Sequence, residues 1–165
     1  MTYMLHWAAP ERAFIGVDYD EEKVETAHHH FLRDERISFE QGDLTMYMPE
    51  PCDGIIISDV LHYLLPEGQE ALLEHCYEAL NEDGLLIIRD GVMELQKRIK
   101  GTKHTEFWST KIMKFNKTTN DLHFISRAFL EGFAERHNMS MEVYDFAKFT
   151  ANLTFVLKKR PPALI

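Results

Sequence analysis

Cysteine is scarce in this sequence: Cys52 and Cys76 are the only two, too few for a disulfide framework, and nothing near either spaces like a zinc site. A reducing compartment is the expectation, and the protein reads as cytoplasmic. No window reaches the roughly 18 apolar residues that a membrane helix needs. The opening MTYMLHWAAPER lacks a basic start followed by a long apolar stretch, so neither a secretory signal nor a membrane span is expected. Basic residues are also outnumbered, with 18 Lys and Arg against 27 Asp and Glu and a formal net charge of −9. Such a surface repels a polyphosphate backbone, which excludes nucleic acid as a general partner. There is no internal repeat and no low-complexity segment.

What is present is enough for one core. The chain has 165 residues, 45% of them hydrophobic, which fits a single domain. From Thr2 to Ala9 the apolar residues Met4, Leu5, Trp7 and Ala8 recur at helical spacing, and Pro10 ends the segment because the residue before proline is pushed out of the helical region. Ala13 to Val17 is a compact apolar run ending in Asp18, followed by EEKVETAHHHFLRD, a helix with acids in its first turn. The pattern repeats. Ile37 to Glu40 reads as a strand into Gly42 and Asp43, and Gly54 to Ser58 as a continuously apolar strand into Asp59. PEGQEALLEHCYEALNEDG opens with a proline suited to a first helical turn and is expected to stop at Gly84. Leu85 to Ile88 is a further buried strand, ending at Arg89-Asp90-Gly91. Apolar strands separated by helices predict an α/β fold with a mostly parallel sheet covered by helices on both faces.

The end of the chain breaks this rhythm. A helix from Ser126 to about His137 precedes two strands, Met141 to Phe146 and Thr154 to Lys159. Their connection is too short for a parallel crossover, which needs about a dozen residues or more, so the pair is expected to run antiparallel. The Pro161-Pro162 tail reads as disordered.

A mostly parallel sheet with acids at the tips of its early strands and one reversed strand at the end resembles the Rossmann-like class I S-adenosylmethionine-dependent methyltransferases. AFIGVDYDEEKVETA resembles that family's second strand and following helix, which implies that Asp18 accepts hydrogen bonds from the ribose hydroxyls of the cofactor and that Tyr19 adjoins it. FEQGDL resembles the third-strand motif and implies Asp43 beside the adenine amino group, with Leu44 in backbone and apolar contact. CDGIIISDVLHYL resembles the fourth-strand motif and implies Ser58 and Asp59 by the methionine part of S-adenosylmethionine, with His62 facing the substrate. LNEDGLLIIRDG resembles the fifth strand and its preceding turn. The resemblance covers residues 1 to 160 as one domain, with 161–165 a tail. The family's first strand and glycine-rich loop have no counterpart before the first helix. The resemblance therefore implies two open strand edges, an upstream segment or another chain to fill the gap, self-association through those edges, and weak cofactor binding by these residues alone.

Each candidate residue has a plainer reading beside the functional one. Asp18 could cap the helix that follows, although Asp20, Glu21 and Glu22 can serve that purpose; Asp43 could be a turn residue after Gly42; Asp59 could cap a helix from Val60 to Leu64; and Asp90 could turn the chain with Gly91. The run His28-His29-His30 cannot converge on one metal, because successive helical residues point about 100° apart. His62 and His123 are the candidates for acid–base chemistry, as histidine can take a proton from a substrate hydroxyl. Between Gly91 and His123 the chain turns basic and aromatic: Lys97, Arg98, Lys100, Lys103, Lys111, Lys114 and Lys117 face only Glu106, with Phe107 and Trp108 interleaved. This segment reads either as an amphipathic packing helix or as a substrate lid or insertion, in which Trp108, Lys111 and Lys114 would meet an anionic or carrier-bound small molecule. Methyl transfer by direct displacement needs positioning and, for a hydroxyl acceptor, removal of a proton, so no nucleophile is sought. The expected activity is methyl transfer to an O or N atom of a small molecule. A non-catalytic interaction module and a nicotinamide-dependent oxidoreductase are the rival readings.

Overall fold

A computed structural model describes residues 1–30, 34–95, 122–146 and 150–161. The chain divides into two compact units, residues 1–47 and 48–165.

The first unit contains helix α1 (Thr2–Ala8), strand β1 (Phe14–Asp18), helix α2 (Glu21–His28) and strand β2 (Ile37–Gln41), with β1 and β2 parallel. Asp20 caps α2 by accepting from the amides of Glu22 and Lys23, and Glu21 and Glu22 occupy the first turn, where the helix dipole favours acids. The helix stops at His28, short of the run of helix-forming residues in the sequence, as the amides of His29 and His30 donate back to the Glu25 and Ala27 carbonyls. Tyr3 ties α1 to the end of α2 through its hydroxyl, which donates to the Ala27 carbonyl at 2.8 Å. Gly16 makes this packing feasible: a Cβ there would lie 2.7 Å from the Phe39 ring and 2.9 Å from the Thr2 hydroxyl.

The second unit begins with β3 (Cys52–Ser58), a short 3-10 turn (Leu61–Tyr63), helix α3 (Pro66–Ala79) and β4 (Leu80–Gly91). A second 3-10 turn (Met93–Leu95), helix α4 (Arg127–Arg136), β5 (Met139–Tyr144) and β6 (Asn152–Lys159) complete it. The sheet order is β3-β4-β6-β5, with β3 and β4 parallel and the last two pairings antiparallel. The short connection therefore does produce the reversed pair expected of it. Leu86, Ile88 and Asp90 share one face of β4 and are opposite Leu157, Phe155 and Leu153 of β6. Leu86, Ile88, Asp90, Phe155 and Leu157 are buried, as are Leu72, Leu73 and Cys76 of α3 and Leu130 and Phe133 of α4.

Helix α3 ends at Ala79 and not at Gly84. Asn81 to Gly84 form an irregular start to β4 instead, where its register with β3 shifts: Asp83 takes a positive φ of 62°, and a Cβ on Gly84 would meet the Asn81 carbonyl at 2.8 Å. The Lys159 ammonium donates to the carbonyls of Tyr77 (3.2 Å) and Leu80 (2.7 Å), satisfying acceptors that the helix end leaves over. Ser126 caps α4, its hydroxyl accepting from the Phe129 amide at 3.1 Å.

Both cysteines are free thiols, and burial pushes the Cys76 thiol up to about 12. Cys76 in the native protein should therefore resist iodoacetamide at pH 8 and react once the chain is unfolded, which peptide mass spectrometry can score. The native thiol keeps its proton while an unfolded one ionises near ~8.5, so this group lowers stability as pH rises from there toward about 12. Rapid labelling of native Cys76 would contradict its burial.

Candidate functional site

The residues with chemical potential stand at the carboxyl ends of the parallel strands, where open α/β sheets leave room for ligands. In the first unit, Asp18 ends β1. Its Oδ1 accepts from the Asp20 amide at 3.0 Å, and Oδ2 lies 3.9 Å from the Lys23 ammonium. Asp20, not Asp18, caps the helix, so the Asp18 carboxylate keeps accepting capacity. Tyr19 is 57% exposed, with the Lys23 ammonium 5.7 Å from its ring centre. Asp43 follows β2 and receives both the hydroxyl (2.7 Å) and the amide (3.0 Å) of Thr45 on Oδ1. These bonds, the hydroxyl first, hold its carboxyl below the usual range. Asp43 is thus a turn residue that keeps Oδ2 open, and Leu44 beside it is half-buried.

The second unit holds a polar cluster that the sequence did not disclose. Asp90, at the tip of β4, is fully buried, yet its carboxylate accepts four hydrogen bonds. Oδ2 takes the amides of Val60 (3.1 Å) and Leu61 (2.8 Å), and Oδ1 takes the Gly91 amide at 2.7 Å and His62 Nδ1 at 2.5 Å. Both oxygens face backbone N–H groups, so the carboxylate acts as acceptor and Nδ1 must donate. That leaves Nε2 of His62 as the unprotonated, accepting nitrogen when the ring is neutral. The His62 side chain is 10% exposed. Asp90 therefore fills the capping role considered for Asp59.

Asp59 does something else. It adopts φ 55°, a region that favours glycine, and its carboxylate pairs with Arg89 and accepts from the Asn152 amide group at 2.7 Å and the Ser58 hydroxyl at 3.2 Å. His123 meets the His62 turn through its backbone, its amide donating to the His62 carbonyl at 2.9 Å. Trp108, Lys111 and Lys114 lie outside the described residues. Among the described residues no group of three His, Cys, Asp or Glu could hold a metal ion, and no helix is long and apolar enough to cross a membrane.

Residues 1–84 match the family model described as a methyltransferase domain. The chain belongs to the methyltransferase domain family. The carboxy-S-adenosyl-L-methionine synthase of Actinobacillus succinogenes is 31% identical over 84 residues, which are 49% of this chain and 35% of that protein. Human N-acetylserotonin methyltransferase, solved in complex with SAM, superposes with a TM-score of 0.67 at 18% identity, covering 94% of this chain and 43% of that one. An O-methyltransferase family protein from Burkholderia thailandensis gives a TM-score of 0.70 at 16% identity, covering 96% and 47%. These likenesses show the Rossmann-like methyltransferase fold. The chain spans about a third of the length of the curated relative, 35%, and less than half of either solved chain.

Proposed function

We propose that this methyltransferase-family chain serves S-adenosylmethionine-dependent methyl transfer to an oxygen of a small-molecule acceptor, with His62 as proton acceptor. The observation that carries the reading is the buried pair in which Asp90 takes the Nδ1 proton and leaves Nε2 to accept another. A hydroxyl acceptor has a proton to lose, and a base held within hydrogen-bond reach typically contributes about 10²- to 10⁴-fold.

The residues present fit the cofactor's chemistry. Asp18 keeps carboxylate capacity for a vicinal diol and Asp43 keeps Oδ2 for an exocyclic amino group, while Tyr19 and Leu44 offer apolar surface beside them. Ser58 and Asp59, held by Arg89 and Asn152, address the amino acid part. When bound, the cofactor supplies an electrophilic methyl group on sulfur. His62 then takes the acceptor's proton at Nε2, and Asp90 keeps the resulting imidazolium paired. Trp108, Lys111 and Lys114 are proposed to contact an anionic or carrier-bound acceptor, and His123 to stand beside His62.

The test is calorimetry with S-adenosylmethionine and S-adenosylhomocysteine, then transfer of a tritiated methyl group to pooled phenols and hydroxy acids. Asp18→Ala should weaken cofactor binding by about 1–3 kcal/mol, the cost of lost bonds to a charged group. Unchanged affinity would remove Asp18 from the site. Cofactor binding without transfer to any hydroxyl compound, alongside transfer to amines, would replace the oxygen acceptor by nitrogen. Absence of binding by the full-length protein would favour the non-catalytic module.

A further inference from the structure

We propose that Gln69 is a positioning residue for His62, acting through the backbone of His123 and the ring of Phe124. The inference rests on the reading of His62 as proton acceptor and adds a part of that site with no sequence signal of its own.

Gln69 stands in the first turn of α3 and is 5% exposed; with His62 and Asp90 it makes up the buried polar residues among those described. Its Nε2 lies 3.0 Å from the Leu61 carbonyl, 3.2 Å from that of Leu64 and 2.6 Å from that of His123. An amide nitrogen carries two hydrogens, so three carbonyls share them, the shortest contact being to His123. Burying this group costs free energy unless its donors are used, and here they serve backbone carbonyls that an apolar side chain would only surround. The donors must therefore accomplish something that packing does not. The His123 carbonyl is gripped by Gln69 while the His123 amide donates to the His62 carbonyl at 2.9 Å. The backbone at 123 is thereby clamped across the His62 turn at both of its polar ends.

The next residue shows what the clamp is for. The Phe124 ring stacks on the His62 imidazole, with centres 5.9 Å apart and planes at 18°. It also lies directly over Gly91, where a Cβ would come within 2.8 Å and 2.9 Å of two ring carbons. The Met93 amide donates to the Ile125 carbonyl at 2.9 Å and fixes the far side of the same segment. Asp90 thus fixes the imidazole through Nδ1, and Phe124 covers its face. If the ring swings, Nε2 is displaced, and a misplacement of ~1 Å can cost ~10²-fold in rate.

The experiment is NMR of the full-length protein labelled with ¹³C,¹⁵N-histidine, with His62 resonances assigned by their loss in His62→Gln. Gln69→Leu should move the His62 ring-proton resonances from their wild-type positions in the same direction as Phe124→Leu does. Methyl transfer should fall roughly 10- to 100-fold with S-adenosylmethionine affinity unchanged. Should Gln69→Leu not fold, Gln69→Asn, whose amide stops one methylene short of the His123 carbonyl, is read the same way. His62 resonances left at their wild-type positions by the folded variant would overturn the proposal, as would a shift in Gln69→Leu that Phe124→Leu does not share. If His62→Gln keeps full turnover, the proton-acceptor reading fails, and the resonance shifts still decide the role of Gln69.

Discussion

Replacing Asp90 with alanine is expected to cost about 3–5 kcal/mol of folding stability, since several buried donors lose their acceptor together at about 1–3 kcal/mol each. The carboxylate is fully buried and accepts from Val60, Leu61, Gly91 and His62. Its removal leaves three amides and an imidazole N–H without an acceptor, each with its own desolvation penalty. Since domains are stable by only about 5–15 kcal/mol, such a loss should be obvious in urea unfolding followed by circular dichroism. Asp90→Asn should cost less, because one oxygen and the side-chain volume persist, but its NH₂ must then face amide N–H groups. A loss below about 1 kcal/mol for the alanine variant would mean that the four bonds contribute no more than one ordinary hydrogen bond.

His62→Gln should lower methyl transfer to a hydroxyl acceptor by about 10²- to 10⁴-fold while S-adenosylmethionine affinity stays near the wild-type value. Glutamine has comparable reach and can still donate to Asp90, yet it cannot hold a transferred proton. The two measurements separate chemistry from binding: equal loss in cofactor affinity and turnover would assign His62 to shaping the site, and undiminished turnover would end its role as base.

The strands were legible because their physics is local. An apolar run that ends at or just before an acid, as at Asp18 after Phe14–Val17 or Asp59 after Gly54–Ser58, carries its own C-terminal boundary, and the reversed pair β5 and β6 follows from a connection too short to cross over. The sequence pattern carries helix α3 past its true end at Ala79 to Gly84, because Leu80 continues the apolar pattern while already extended, and Lys159, far along the chain, closes the helix end. His62 and Asp18 could be singled out by residue type and position. The pairing of His62 with Asp90 could not, because a separation of 28 residues has no periodicity to reveal it. The carboxylate that caps the turn at 60–64 is Asp90 and not Asp59, its sequence neighbour; a capping carboxylate delivered by a neighbouring strand leaves no mark on the local sequence. Gln69 carries no motif and was visible only once three carbonyls converged on it.

The acceptor for the amides of Val60 and Leu61 arrives from 29 and 30 residues further along the chain, on a strand that lies between β3 and β6. The backbone before His62 therefore has no reason to take its turn until β4 has docked, and closing a loop of that length must precede any return from the contacts it makes. The turn at His62 is therefore expected to take its final form only with, or after, the pairing of β3 and β4. A refolding protein should regain its sheet signal no later than it regains the His62 environment, which stopped-flow circular dichroism and histidine NMR can compare.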